Sequence, residues 1–417
     1  MDVATTLAGT PSAAELAGLR TAIAAEFPVY LANLERLVNI DCGTYTRTGV
    51  NEVGRWTGDF LANLGAHVEY RPDPDGTLGD TVVATFTGRT GGARVLLIGH
   101  LDTVFDPGTA SLRPFRLDDG VAHGPGVADM KSGLLAGLYA LKALIGERGG
   151  LPFERLVFIA NPDEEIGSPT STPHISDIAA DVDVALVLEC ARANGDIVSS
   201  RKGILDARMR VLGRAAHAGV EPEKGRSAIL EAARIVTDLH ALNGRWPGVT
   251  VNVGVIGGGT RPNVVAEECS LEVDVRASSR EALEEAEAEI RWIAEATEVD
   301  DTTVEFETMA RWWPMEKLAH SGRLVEHAQA VARGLGFEVR DAATGGASDA
   351  NTTSGMGVAS LDGLGPIGGN DHSPAEYLDV DSIVPRTAML AGLLLAVAAD
   401  PEVLTWRKPP PRPNGRA

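Results

Sequence analysis

The sequence predicts an α/β fold: a mixed, mostly parallel sheet flanked by helices, with a smaller ferredoxin-like α+β domain inserted into it. Three observations carry this. Short apolar runs RVLLIG (94–99), RLVFIA (155–160) and VALVLE (184–189) recur, with helical or loop material between them, the mark of buried strands in a parallel sheet. Between 204 and 314 the texture changes to alternating strands and amphipathic helices in the order β-α-β-β-α-β, the split motif. After 316 the first texture resumes. The boundaries expected are 1–203 with 315–417 for the larger domain and 204–314 for the insertion. The 417 residues suit this division, since domains usually take about 100–200 residues each.

The first stretch, roughly 12–40, has Leu16, Leu19, Ile23, Leu31, Leu34 and Val38 at helical spacing, with a break expected at Pro28. After RVLLIG a helix is expected from about 130 to 147. In the insertion, ILDARMRVLG, TVNVGVIGGG, EECSLEVDVRA and TTVEFET read as strands. RSAILEAARIVTDLHAL and SSREALEEAEAEIRWIAEA read as helices, the second with serine at its start. Beyond 316 come a helix near 321–335, a strand FEVR (337–340), a glycine-rich turn TGGASDAN, a strand VASLD and a final helix. The apolar stretch AMLAGLLLAVAA (388–399) is too short to span a bilayer and reads as a buried helix. The proline-rich tail RKPPPRPNGRA is expected to be disordered.

Composition narrows the function. Apolar residues make up 44% and charged ones 23%, close to a soluble average. The formal charge of −21, from 37 basic and 58 acidic residues, disfavours nucleic acid or an anionic membrane as partner. Cys42, Cys190 and Cys269 form no CxxC pair and read as reduced, buried thiols. No basic-then-apolar leader opens the chain, so a cytoplasmic location is expected.

Chemistry in such sheets gathers beyond the strands' carboxyl ends. RVLLIG is followed by His100 and, two residues on, Asp102; GPGVADMKSG places Asp129 just before a helix; RLVFIA leads into Glu164 and Glu165; VALVLE ends in Glu189; and GGNDHSPAEY supplies His372. Taken singly, each is a capping or surface group; Asp129 alone reads as a helix N-cap. Together, His100, Asp129, Glu165, Glu189 and His372 are ligand types for a borderline metal such as zinc. Two histidines and three carboxylates fit two metals sharing one bridging carboxylate.

GHLDTV, GPGVADMKSG, NPDEEIGS, the glutamate ending VALVLE, AAHAG and GGNDHSPAEY resemble the dinuclear zinc peptidase family. That family includes glutamate carboxypeptidase, acetylornithine deacetylase, succinyl-diaminopimelate desuccinylase and the aminoacylases. The resemblance runs from about 30 to 400, and GGASDAN is most similar to glutamate carboxypeptidase. It implies two zinc ions per chain, with cobalt or manganese as substitutes: His100 and Glu189 on one, Glu165 and His372 on the other, and Asp129 bridging, often with a cis bond to Met130. It implies Glu164 as general base and Asp102 as the partner that fixes the His100 tautomer.

Within the insertion, the resemblance implies a lid that also forms a homodimer contact. His217 of AAHAG would reach across the dimer to stabilise the oxyanion, and Asn263 and Arg276 would contact the substrate carboxylate or oxyanion. Gly346 would lend a backbone N–H. Hinges near Lys202-Gly203 and Trp313-Pro314 would let the lid close. The implied activity is hydrolysis of an amide next to a free α-carboxylate, on a peptide or an N-acyl amino acid: a glutamate carboxypeptidase, or alternatively an N-acyl-amino-acid deacylase. Some relatives have lost ligands and only bind; here every ligand position is filled.

Overall fold

Strands that are apolar on both faces need cover on both, and that requirement builds the larger part of this protein. In this computed structural model, which describes residues 7–407, six strands form one sheet. Their order is His67–Arg71, Thr81–Thr87, Arg155–Asn161, Arg94–His100, Val184–Val187 and Ala359–Leu361. The first two pairings are antiparallel and the remaining three parallel, so the sheet is mixed and mostly parallel, as expected. The central strands Arg94–His100 and Arg155–Asn161 are buried at every position but the first.

The chain divides into two compact units. One runs from the start of the described residues to Ser199 and takes in Lys317–Ala343 and Ser348 onward; the other is Ser200–Glu316 with Thr344–Ala347. In the first unit, helix Ala13–Val38 is continuous through Pro28, where a break was expected. Pro28 sits on the exposed face, so water can satisfy the carbonyl it leaves unpaired, while Leu16, Leu19, Ile23, Tyr30, Leu34 and Leu37 keep the other face buried. The helix opens on a capping box between Ser12 and Glu15.

Helix Ile383–Ala399 is longer than its apolar stretch. Among the described residues, Val380–Ala399 is the one segment long and apolar enough to cross a membrane, and most of it is buried in the unit. It packs on helices Ala13–Val38, Gly133–Arg148 and Ala319–Gly334. FEVR is not a strand: Val339 joins the hydrophobic core with Phe337 against it, and the strand lies at Asp341–Thr344 instead. There, apolar alternation reports packing rather than pairing. Helix Arg47–Asn63, the hairpin His67–Arg71 with Thr81–Thr87, and a small antiparallel sheet were not anticipated. That small sheet runs Gly368–Gly369, Tyr377–Asp379, Val121–His123, Arg116–Asp118. The three cysteines are free and buried. The proline-rich tail from Lys408 on lies outside the described residues.

The second unit is an antiparallel sheet ordered Thr250–Gly258, Glu268–Ala277, Gly203–Leu212, Thr303–Trp312. Helices Ala228–Ala241 and Arg280–Glu295, each N-capped by a serine, Ser227 and Ser279, complete the β-α-β-β-α-β order. Alternate residues Leu205, Met209 and Val211 face their core together with Ile235, Leu239, Leu283 and Ile290.

Candidate metal centre

Register explains how residues remote in sequence meet. His100 ends its strand opposite Asn161, and Ile98 lies opposite Val187, so Glu189, two residues past Val187, falls level with His100. Asn161 leads directly into the short turn Glu164–Ile166. Asp129 lies in the turn Val127–Ser132 ahead of helix Gly133–Arg148, and its bond to Met130 is cis. His372 stands on the loop between Gly368–Gly369 and Tyr377–Asp379, with φ of 59°.

The side chains converge around Asp129. Its Oδ1 lies 3.1 Å from His100 Nε2, and its Oδ2 lies 3.1 Å from His372 Nε2. His372 Nε2 is also 3.1 Å from Glu165 Oε2, and His100 Nε2 is 3.7 Å from Glu189 Oε1. One carboxylate thus faces a different histidine with each oxygen. Each histidine has its own second carboxylate. Donor atoms of His100, Asp129 and Glu165, and of His100, Glu164 and Glu189, lie within 4.8 Å of one another. Glu164 is therefore close enough to His100 and Glu189 to act either on a metal or beside one.

Asp102 supports this arrangement from beneath. Its carboxylate accepts from the Thr44 hydroxyl at 2.6 Å and from the backbone N–H groups of Glu164 at 3.2 Å and Glu165 at 3.3 Å. His100 Nδ1 is nearer the Asp102 carbonyl, at 3.0 Å, than its carboxylate, at 3.4 Å. Asp163 accepts from the Thr170 and Ser171 backbone and hydroxyl groups. Asp349 accepts from Ser168 Oγ at 2.6 Å and Asn161 Nδ2 at 2.9 Å. These buried carboxylates pin the turn that carries Glu164 and Glu165 to the sheet edge.

Electrostatics mark the place as a cation site. Burial works against a charged His100, yet hydrogen bonds to Asp102 and Asp129 and the Glu189 charge hold it well above the ordinary histidine range. His372 is pushed up to about 10 by hydrogen bonds to Asp129 and Glu165. Burial would raise Asp129, but the two histidines win and lower it. Burial raises Glu164 and Glu165. Glu165 Oε1 is buried without a hydrogen-bond partner. An orphaned carboxylate oxygen beside two imidazoles and two further carboxylates fits a divalent cation with nitrogen and oxygen ligands.

The remaining sequence-predicted residues belong to the second unit. His217 is exposed, its Nδ1 accepting from Gly219 N at 3.2 Å. It bridges to Val264, while Ala218 N donates to Asn263 O at 3.0 Å, so the His217 and Asn263 loops lie side by side. Arg276 is held by Asp274, with contacts of 2.8 Å from Nε and from a terminal nitrogen to Oδ2. Gly346 accepts from Arg201 through its carbonyl at 3.1 Å. Sequence reasoning passed over Thr44, Asp163, Asp349 and Glu376. Asp163, Asp349 and Glu376 lie in NPDEEIGS, GGASDAN and GGNDHSPAEY, motifs already singled out, whereas Thr44 carried no such signal.

The pattern of peptidase family M20/M25/M40 matches residues 96–396. The chain belongs to this family. It is a metal-dependent hydrolase. Carboxypeptidase G2 of Pseudomonas sp. (strain RS-16) is 31% identical over 381 residues, 90% of each chain. Acetylornithine deacetylase of Proteus mirabilis is 30% identical over 54% of this chain and 59% of its own. Succinyl-diaminopimelate desuccinylase of Stenotrophomonas maltophilia is 27% identical over 73% and 84%. Among solved structures, the aminopeptidase PepT of Bacillus cereus superposes with a TM-score of 0.71 at 24% identity over 88% of this chain and 98% of that one, which speaks to the fold.

Proposed function

We propose that this family member is a dinuclear zinc hydrolase that cleaves an amide next to a free α-carboxylate, and that it acts as a glutamate carboxypeptidase. One observation carries the dinuclear reading: the two oxygens of Asp129 face two different histidines at the same 3.1 Å. His100 and Glu189 would hold one ion, Glu165 and His372 the other, with Asp129 shared. Divalent ions bound there polarise a carbonyl and acidify water. Glu164, whose carboxylate has no hydrogen bond or ion pair among the described residues, takes the water proton and delivers it to the leaving nitrogen. Asp102 keeps His100 and the Glu164–Glu165 backbone in place.

Residues 204–314 are proposed as the lid and homodimer contact, His217 as the oxyanion partner across that dimer, and Asn263, Arg276 and Gly346 as substrate contacts. Arg276 would have to leave Asp274 to receive a carboxylate. Similarity to carboxypeptidase G2 over 90% of both chains supports the peptidase reading. The deacetylase and desuccinylase relatives keep N-acyl-amino-acid deacylation as a second reading. A cytoplasmic site of action is proposed with both. A screen of N-acyl-glutamates, other N-acyl amino acids and dipeptides, with zinc, cobalt or manganese added, tests them. Preference for a C-terminal glutamate supports the first, and turnover confined to short acyl groups on other amino acids overturns it.

A further inference from the structure

Glu376 lies four residues beyond His372 and is buried. The strand that follows it, Tyr377–Asp379, pairs with Val121–His123, Tyr377 opposite His123, which sets Glu376 against the turn after His123. There its Oε2 accepts from Gly126 N at 2.9 Å, and its Oε1 from Ala128 N at 2.8 Å and Asp129 N at 3.1 Å. Three backbone donors on one buried carboxylate make a charge-assisted clamp, and the last donor belongs to the residue that faces both histidines. We propose that Glu376 is a positioning residue of the metal centre: it locks the Asp129 backbone to the His372 loop and so sets the spacing between the two metal positions. The inference rests on reading Asp129 as the shared ligand. Glutamine in its place keeps one acceptor oxygen and turns an NH2 group toward a backbone donor, so the clamp cannot close on both sides.

The test is zinc affinity of metal-depleted protein, titrated against a chelating dye, for the wild type, E376Q, E376D and D129N. A merely structural carboxylate lowers the melting temperature of metal-free and zinc-loaded protein alike and leaves the zinc Kd where it was. The clamp predicts that E376Q weakens zinc about 10–100-fold, the scale of losing a group that supports metal ligands. E376D, which keeps both oxygens one methylene short, recovers part of that loss. Should E376Q fail to fold, E376D against the wild type carries the same comparison. An unchanged Kd in E376Q, or in E376D if only that variant folds, overturns the proposal while D129N still loses zinc. Wild-type zinc binding by D129N overturns instead the shared-ligand reading on which the proposal stands.

Discussion

Two neighbouring glutamates in one turn can divide their labour because adjacent side chains diverge. Glu165 turns to His372, while Glu164 stays beside His100 and Glu189. Glu164→Gln is therefore expected to keep its metal content and lose about 10²–10⁴-fold in kcat, checked by elemental analysis beside a turnover assay. Loss of one metal from that variant would make Glu164 a ligand rather than a base. A second residue, Asp349, reports on pH. Burial raises its carboxyl to about 6 against the ordinary 3.8, although Ser168 hydrogen-bonds to it. A raised acid contributes stability that is full below the unfolded pKa and is lost as pH climbs through about 6. The stability gap between wild type and Asp349→Asn should thus be widest at about pH 3 and shrink by about 3 kcal/mol by about pH 7.5, in urea unfolding of metal-free protein. A gap that stays constant would deny Asp349 this titration.

At the scale of elements, the helix Ala13–Val38 shows where local rules yield to packing. Its buried stripe continues past Pro28, so tertiary contacts hold a turn that backbone chemistry disfavours. Pro28 is exposed, and nothing in its surroundings requires the ring. Pro28→Ala restores the missing N–H and should stabilise the protein by about 1–3 kcal/mol, seen as a higher denaturant midpoint with an unchanged slope. The strand ends tell the opposite story: Arg94–His100, Arg155–Asn161 and Val184–Val187 were legible as apolar runs, and their carboxyl ends carried readable chemistry. Helix Arg47–Asn63 was not, because its buried face is built from Gly49, Gly54, Thr57 and Gly58 as much as from Val50, Val53 and Leu61. Three glycines within it argue against a helix by propensity, and packing overrides them.

Across the whole chain, what the sequence could not disclose is pairing over distance. Glu376 acts on backbone N–H groups some 250 residues away, and backbone donors have no letter code. Arg276 was legible as a strand-end arginine, but its tie to Asp274, two residues back on the same strand, depends on rotamers. The −21 charge is a sum over the surface and says nothing of one buried cluster. That cluster has a global consequence. His100, Asp129, Glu165, Glu189 and His372 come from five separate segments: a strand end, two turns, the stretch just past a strand, and a loop. Close-set carboxylates repel when ionised, and the histidine charges offset part of that repulsion. Divalent ions that bind the folded chain and not the unfolded one add RT ln(1 + [L]/Kd), about 2.7 kcal/mol at 100 times Kd for each site. Treatment with a chelator should therefore lower the melting temperature and abolish turnover, and zinc, cobalt or manganese should restore both together. Because bound metal must displace protons from His100 and His372, reloading should release protons, detectable in a weakly buffered solution. A melting temperature indifferent to the chelator, with metal loss confirmed by elemental analysis, would mean that the five segments are held by the fold alone.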